Sequence, residues 1–158
     1  MLVKIGRGVG AGVITGSQPL LGSRFAAGEI GHVTVGTDGG PRCACGKDGC
    51  LEAWLSETRL TEALAAQPDQ RETLLRDAGT RMAIAIAPIV AALDLSEVVL
   101  SGPGDLLDGV LINAAVETLH ARTLEGVFED ALIRLTRQED IVLRGAAVMV
   151  LSAQLGVS

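Results

Sequence analysis

The residues able to do chemistry crowd into one short stretch, Gly28 to Glu52, reading GEIGHVTVGTDGGPRCACGKDGCLE. It holds all three cysteines (Cys43, Cys45 and Cys50), together with His32 and the carboxylates Glu29 and Glu52. One imidazole and three thiolates form a complete ligand set for a tetrahedral structural zinc, spaced here as H-x10-C-x-C-x4-C. Four such ligands leave no open position for water, so the ion would build structure rather than do chemistry. Two other readings stand beside the metal. The thiols can be small buried side chains. They can also pair, although an odd count leaves one over and Cys43 and Cys45 are too close in the chain to bridge easily. Glu29 and His32 are three residues apart, which places them on one face of a helical turn, where a carboxylate and an imidazole can grip neighbouring hydroxyls. On the residues alone, Glu29 and Glu52 read better as carboxylates at helix starts.

A second stretch, Gly6 to Gly12 (GRGVGAG), lies between short apolar runs rich in β-branched residues. It reads as a hairpin whose glycines Gly6, Gly8 and Gly10 permit a tight turn, with backbone N–H groups able to cradle a phosphate. A plain turn is the simpler alternative. Gly102, in Gly102-Pro103-Gly104, closes a later apolar run and reads as a strand-to-helix turn.

These motifs, in this order, resemble the signature of the ROK family, the sugar-responsive repressors and sugar kinases. Gly31-His32, ten residues, and then CACGKDGCLE carry the resemblance, with GRGVGAG and AAGEIGH upstream of them. It covers essentially the whole chain and corresponds to the C-terminal half of a usual member. It implies an α/β fold of the ribonuclease-H-like, actin-like ATPase type, as a single C-terminal domain over 1–158 with an inserted zinc loop at 32–52. It also implies sugar binding through Glu29, His32 and Glu52, and zinc held by His32, Cys43, Cys45 and Cys50. Gly6, Gly8, Gly10 and Gly102 fall where family kinases handle phosphate and nucleotide.

Two departures stand at those nucleotide positions. Arg7 lies where the kinases commonly have Thr, and Pro103 replaces the second glycine of a pair that lies against adenosine. Neither a D-x-G-G-T phosphate loop nor an N-D motif with its catalytic aspartate occurs in the sequence. A base must reach the hydroxyl it deprotonates, so the expectation for this chain alone is no catalytic residue and no sugar phosphorylation. The resemblance therefore points to the sugar-sensing, oligomerising half of a repressor that meets DNA only through a separate N-terminal domain. The alternative is half of an ATP- and magnesium-dependent sugar kinase.

The elements that must position these residues follow from periodicity. Leu2 to Ile14 reads as two strands, Thr15 to Arg24 as a loop, Ala26 to Gly31 as a helical turn and Val33 to Val35 as a strand. Leu51 to Leu64 reads as two helices broken near Ser56-Glu57. Arg71 to Leu93 is one long helix kinked at Pro88 and apolar on all faces in its second half. A strand over Ser96–Ser101 follows, then a helix from Leu106 to about Arg122 capped by Asp105, a strand over Ala131–Thr136 and a closing helix over Leu143–Leu155.

Composition sets the outer bounds. Apolar residues make up 48% of 158, yet there are only two Phe, one Trp and no Tyr, so the core must be aliphatic. Mean hydropathy is +0.40, which implies apolar surface meeting another domain or subunit. A net charge of −6 without a basic stripe makes the chain itself a poor ligand for nucleic acid. The longest apolar stretch, Met82 to Leu93, falls short of the ~20 residues of a membrane span. Clustered cysteines with no secretion signal point to the cytoplasm.

Overall fold

Val3 and Ile5 are fully buried while Lys4 between them is exposed, the alternation of a strand with one face on the core. In the computed structural model, which describes residues 1–36, 39–124, 132–138 and 140–155, this strand is β1 (Leu2–Ile5). The glycine run turns it back antiparallel as β2 (Val9–Gly12), with Lys4 opposite Gly10. A two-stranded hairpin, β3 (Ile14–Thr15) with β4 (Gln18–Pro19), stands where the sequence reading has a loop. Gly16 and Ser17, both at positive φ, make its two-residue turn.

Leu51–Leu55 (α1) and Glu57–Ala66 (α2) are the expected helix pair, parted at Ser56. A 3-10 turn at Pro68–Gln70 leads into α3 (Arg71–Leu93), with Pro88 inside it. Its second half is not apolar all round in environment. Met82, Ala83, Ile86 and Val90 are buried, whereas Pro88 is exposed.

β5 (Glu97–Ser101) runs parallel to β1, and β6 (Leu132–Leu135) runs parallel to β5. The sheet order is β2-β1-β5-β6, a parallel core with one antiparallel edge. Ala131, expected to open β6, lies outside the described residues. The helix expected from Leu106 is two pieces, α4 (Gly104–Leu107) and α5 (Val110–Arg122). Gly109 takes φ 72° between them, a conformation that ends a helix. Asp105 sits inside the first turn of α4, whose N-cap is Pro103. The closing helix α6 starts two residues early, at Ile141. Val33–Val35 forms no strand; Thr34 makes only an isolated bridge to Cys50.

The core joins Val3, Ile5, Val98 and Leu100 of the sheet to Met82, Ile86 and Val90 of α3 and Leu111, Ala115 and Leu119 of α5. The two helices cross at Gly79, where a Cβ would overlap the Leu111 carbonyl oxygen and press on Ala114. Gly79→Ala therefore sets two effects against each other. Helix propensity favours Ala by about 1 kcal/mol. Forcing two backbones apart in a packed core costs on the order of 1–3 kcal/mol. The expected outcome is net destabilisation, read as a lower midpoint in urea unfolding; an unchanged or raised midpoint would refute the close crossing.

Candidate functional site

The GEIGH turn is pressed onto the free edge of β2. Ala11 N–H donates to the Gly28 carbonyl at 2.8 Å. Gly28 has φ 104°, and a Cβ there would overlap the Ala11 carbonyl oxygen. A Cβ at Gly31 would overlap the carbonyl of Val9. No larger residue fits either position, so the two glycines set the turn's distance from the strand. The helical turn itself is a 3-10 turn, Ile30–His32, shifted later than expected and with Glu29 as its N-cap residue. Glu29 is exposed, Ile30 and Gly31 are buried, and His32 is half-buried.

From this seat His32 faces the cysteines. Its Nδ1 lies 3.7 Å from Cys43 Sγ, and Cys45 Sγ lies 3.6 Å from Cys50 Sγ. The four ligand atoms all fall within 4.8 Å of one another. Tetrahedral bonds of ~2.3 Å to sulfur place two sulfurs about 3.8 Å apart, so these two pairs already stand at the spacing of a metal site and the full set of four could close on an ion. All three thiols are free.

Their surroundings differ. Cys43 and Cys50 are buried with Ala53 in a small apolar cluster, and Cys45 is exposed. Burial pushes the Cys50 thiol up to about 11, and hydrogen bonds with its neighbouring thiols add to the shift. A backbone hydrogen bond at Lys47 moves Cys45 the other way, below the ordinary thiol value. Lys47 also ties the loop to the histidine, its Nζ donating to the His32 carbonyl at 2.8 Å.

Glu52, on α1, reaches back to the glycine hairpin. Its Oε2 accepts from Val9 N–H at 3.0 Å, and its Oε1 lies 3.9 Å from Cys43 Sγ. The hairpin's amides are thus partly engaged within the fold, because Gly6 N–H also donates to the Gly8 carbonyl at 3.0 Å. Gly8 faces Glu52: a Cβ there would come within 2.9 Å of Oε2. Gly10 sits in the β1–β2 ladder. Gly102 packs under the Ile5 carbonyl at the far end of β5. Gly102 borders a cavity of about 570 Å³ at the C-terminal ends of β1, β5 and β6, with Lys4, Pro103 and Arg137.

Sequence reasoning missed the buttress beneath this site. The Arg81 guanidinium stacks 3.7 Å from the Trp54 ring centroid, pairs with Asp77 at 2.8 Å and donates to the Val35 carbonyl at 3.2 Å. It joins α3, α1 and the start of the cysteine loop. The available signal was a cation beside the apolar run that begins at Met82.

A family model described as the ROK family matches residues 1–153. The N-acetylmannosamine kinase of Escherichia coli O7:K1 is 33% identical over 171 aligned positions, which take in 98% of this chain and 57% of the kinase. A solved ROK hexokinase from Thermus thermophilus superposes with a TM-score of 0.76 at 29% identity, covering 97% of this chain and 57% of the hexokinase. A ROK family transcriptional regulator, homologous to the E. coli MLC protein, gives 0.79 at 19% identity, covering 93% of this chain and 44% of the regulator. At 19% identity the likeness speaks to the α/β fold alone. The chain spans a little over half the length of the curated relatives it matches.

Ligation requires Cys50 to give up a proton that burial holds tightly, so metal binding releases protons and weakens as pH falls. The expected outcome is about one metal ion per chain by elemental mass spectrometry. Cys45→Ser and Cys50→Ser should each lose the ion and lower the melting temperature. Unchanged metal content in either variant would refute the ligand set.

Proposed function

This chain belongs to the ROK family, and we propose that it is the sugar-sensing half of a ROK transcriptional repressor. In this reading Glu29, His32 and Glu52 bind a sugar effector, and His32, Cys43, Cys45 and Cys50 hold a structural zinc. The bound ion supplies a rigid crosslink that fixes the His32 ring. Glu29 is the exposed acceptor, and Glu52, anchored by Val9 N–H, is the pre-oriented one.

The observation that carries the reading is an asymmetry between two regions. The sugar-side residues are gathered around the glycine hairpin and the cysteine loop. The nucleotide side departs from the kinases: Arg7 replaces the usual Thr, hairpin amides are engaged internally, and Pro103 presents no N–H to the cavity it lines. Operator binding belongs, in this proposal, to a helix-turn-helix segment elsewhere in the protein. The exposed apolar side chains of α6, among them Leu143, Val148 and Leu155, cover themselves against the rest of the protein or a second copy.

The second reading, half of a sugar kinase, rests on the 33% identity to N-acetylmannosamine kinase. In that case the cavity at Gly102 holds MgATP, and the catalytic base comes from the other half.

One experiment separates the two. The whole protein is assayed with MgATP and a panel of hexoses and N-acetylhexosamines, for phosphorylated product and for thermal shift. Stabilisation by one sugar without turnover is expected; ATP-dependent phosphorylation of any sugar would establish the kinase reading instead. Glu52→Gln should weaken the stabilising sugar by about tenfold to a hundredfold, the worth of one hydrogen bond to a charged group. The Val9 N–H bond survives through the amide oxygen, so the melting temperature without sugar should barely move.

A further inference from the structure

The cysteine cluster does not present its three sulfurs alike. Cys45 is exposed, whereas Cys43 and Cys50 are buried. The difference follows from the loop that carries them. Arg42 bridges Asp48, Cys43 N–H donates to the Lys47 carbonyl at 2.8 Å, and Gly46 N–H donates to the Cys43 carbonyl at 3.0 Å. Cys45 therefore takes the third position of a tight turn at the tip of the loop. Residues 44–48 are all exposed.

Cys50 is placed in the opposite way. It is the N-cap residue of α1 and fully buried, with its Sγ 3.6 Å from the His32 carbonyl oxygen. Cys45 Sγ also lies 3.6 Å from it. A disulfide has its sulfurs ~2.05 Å apart, so bonding requires an approach of about 1.5 Å. The tip has room to supply it, because a Cβ built on Gly46 would meet no atom within 4 Å. Cys43 is the poorer partner for Cys45. One residue separates the two, too short a span for an unstrained bridge.

We propose that Cys45 is an oxidative modification site that reacts with hydrogen peroxide, and that Cys50 resolves the product into a Cys45–Cys50 disulfide. The proposal goes beyond the sugar-sensing reading and takes from it only the metal ligand set. An accessible sulfur beside a second, resolving sulfur is the arrangement that peroxide chemistry needs. Both react as the thiolates that a metal site requires. The Cys45 sulfur attacks one peroxide oxygen; the O–O bond breaks, hydroxide leaves, and a sulfenic acid remains. The Cys50 sulfur then attacks the Cys45 sulfur. The S–O bond breaks, the S–S bond forms and a second hydroxide leaves. The two sulfurs together give two electrons to the two peroxide oxygens. The closed bond withdraws two of the four donors and leaves His32 and Cys43. Two donors are too few for a structural site, so oxidation releases the ion. A dithiol reductant restores the set.

The test treats the whole protein, as purified, with stoichiometric hydrogen peroxide and then blocks free thiols with iodoacetamide. Metal content is read beforehand by elemental mass spectrometry, and release is followed with a colour-forming chelator. Trypsin cuts after Arg42, Lys47 and Arg59, so Cys45 and Cys50 fall on different peptides, 43–47 and 48–59. The expected result is a cross-link between these peptides with Cys43 alkylated, and metal released in step with the bond. Dithiothreitol should reverse both. Sulfinic or sulfonic acid on Cys45 without a cross-link, a bridge through Cys43, or metal retained while the bond forms would overturn the proposal. Cys45→His keeps a ligand type in place without a thiol and should hold the ion through the same treatment. Release from it as fast as from the wild type would remove Cys45 from its role; if the variant purifies without metal, the wild-type mapping decides. A Cys45–Cys50 cross-link in a protein that never held metal would keep the modification site and sink the metal set.

Discussion

The structure depends on the contact of the GEIGH turn with the edge of β2. An open sheet edge is a row of unpaired backbone groups. Here Ala11 N–H is satisfied by the Gly28 carbonyl, and the overlap of any Cβ at Gly28 or Gly31 with strand carbonyls shows how little room the contact leaves. Backbone-to-backbone approach is stiffer than side-chain packing, because no rotamer can relax it. The turn therefore holds Glu29 and His32 at a fixed height above the hairpin. The same strand edge gives Val9 N–H to Glu52, so carboxylates from two elements share one support.

From that support outward, each layer is less self-sufficient. The cysteine loop has a small apolar cluster of its own, Cys43, Cys50 and Ala53, and a few hydrogen bonds such as Lys47 to the His32 carbonyl. That is little core for a loop of this length. A bound ion would contribute its binding free energy directly to the loop's folding. The loop is further braced from below by Arg81, whose guanidinium spans Trp54, Asp77 and the Val35 carbonyl. An aromatic-poor core elsewhere makes this one indole contact a large share of the specific packing near the site.

The apolar excess has a location. Aliphatic side chains fill the layer between the sheet and the α3–α5 pair, while α6 exposes Leu143, Val148 and Leu155. No described helix is long and apolar enough to cross a membrane. The chain matches the ROK family over nearly its full length, yet spans a little over half of its curated relatives.

Much of the fold was legible in the chain because its signals are local. A β-branched apolar run marked β1 and a buried apolar run marked β5, the break at Ser56 separated α1 from α2, and the ligand types and spacing in Gly28–Glu52 marked the cluster that the structure draws to within 4.8 Å. Other features depended on tertiary contacts. Whether Val33–Val35 becomes a strand depends on a neighbour to pair with, and only Cys50 offers one bridge. Asp105 has the chemistry of a cap, but Pro103 takes that position and Gly109 divides the helix. The hairpin glycines suit a phosphate in sequence, whereas in the structure Glu52 and Gly8 claim amides of that turn. The meeting of Arg7, Arg42 and Arg59 around Ser56 has no sequence signature at all. Periodicity and residue spacing are properties of neighbouring residues, so the sequence determined most of the elements and the cysteine–histidine cluster. Which amides stay free, and which distant charges share a cavity, are set by long-range packing, and only the tertiary structure decides them.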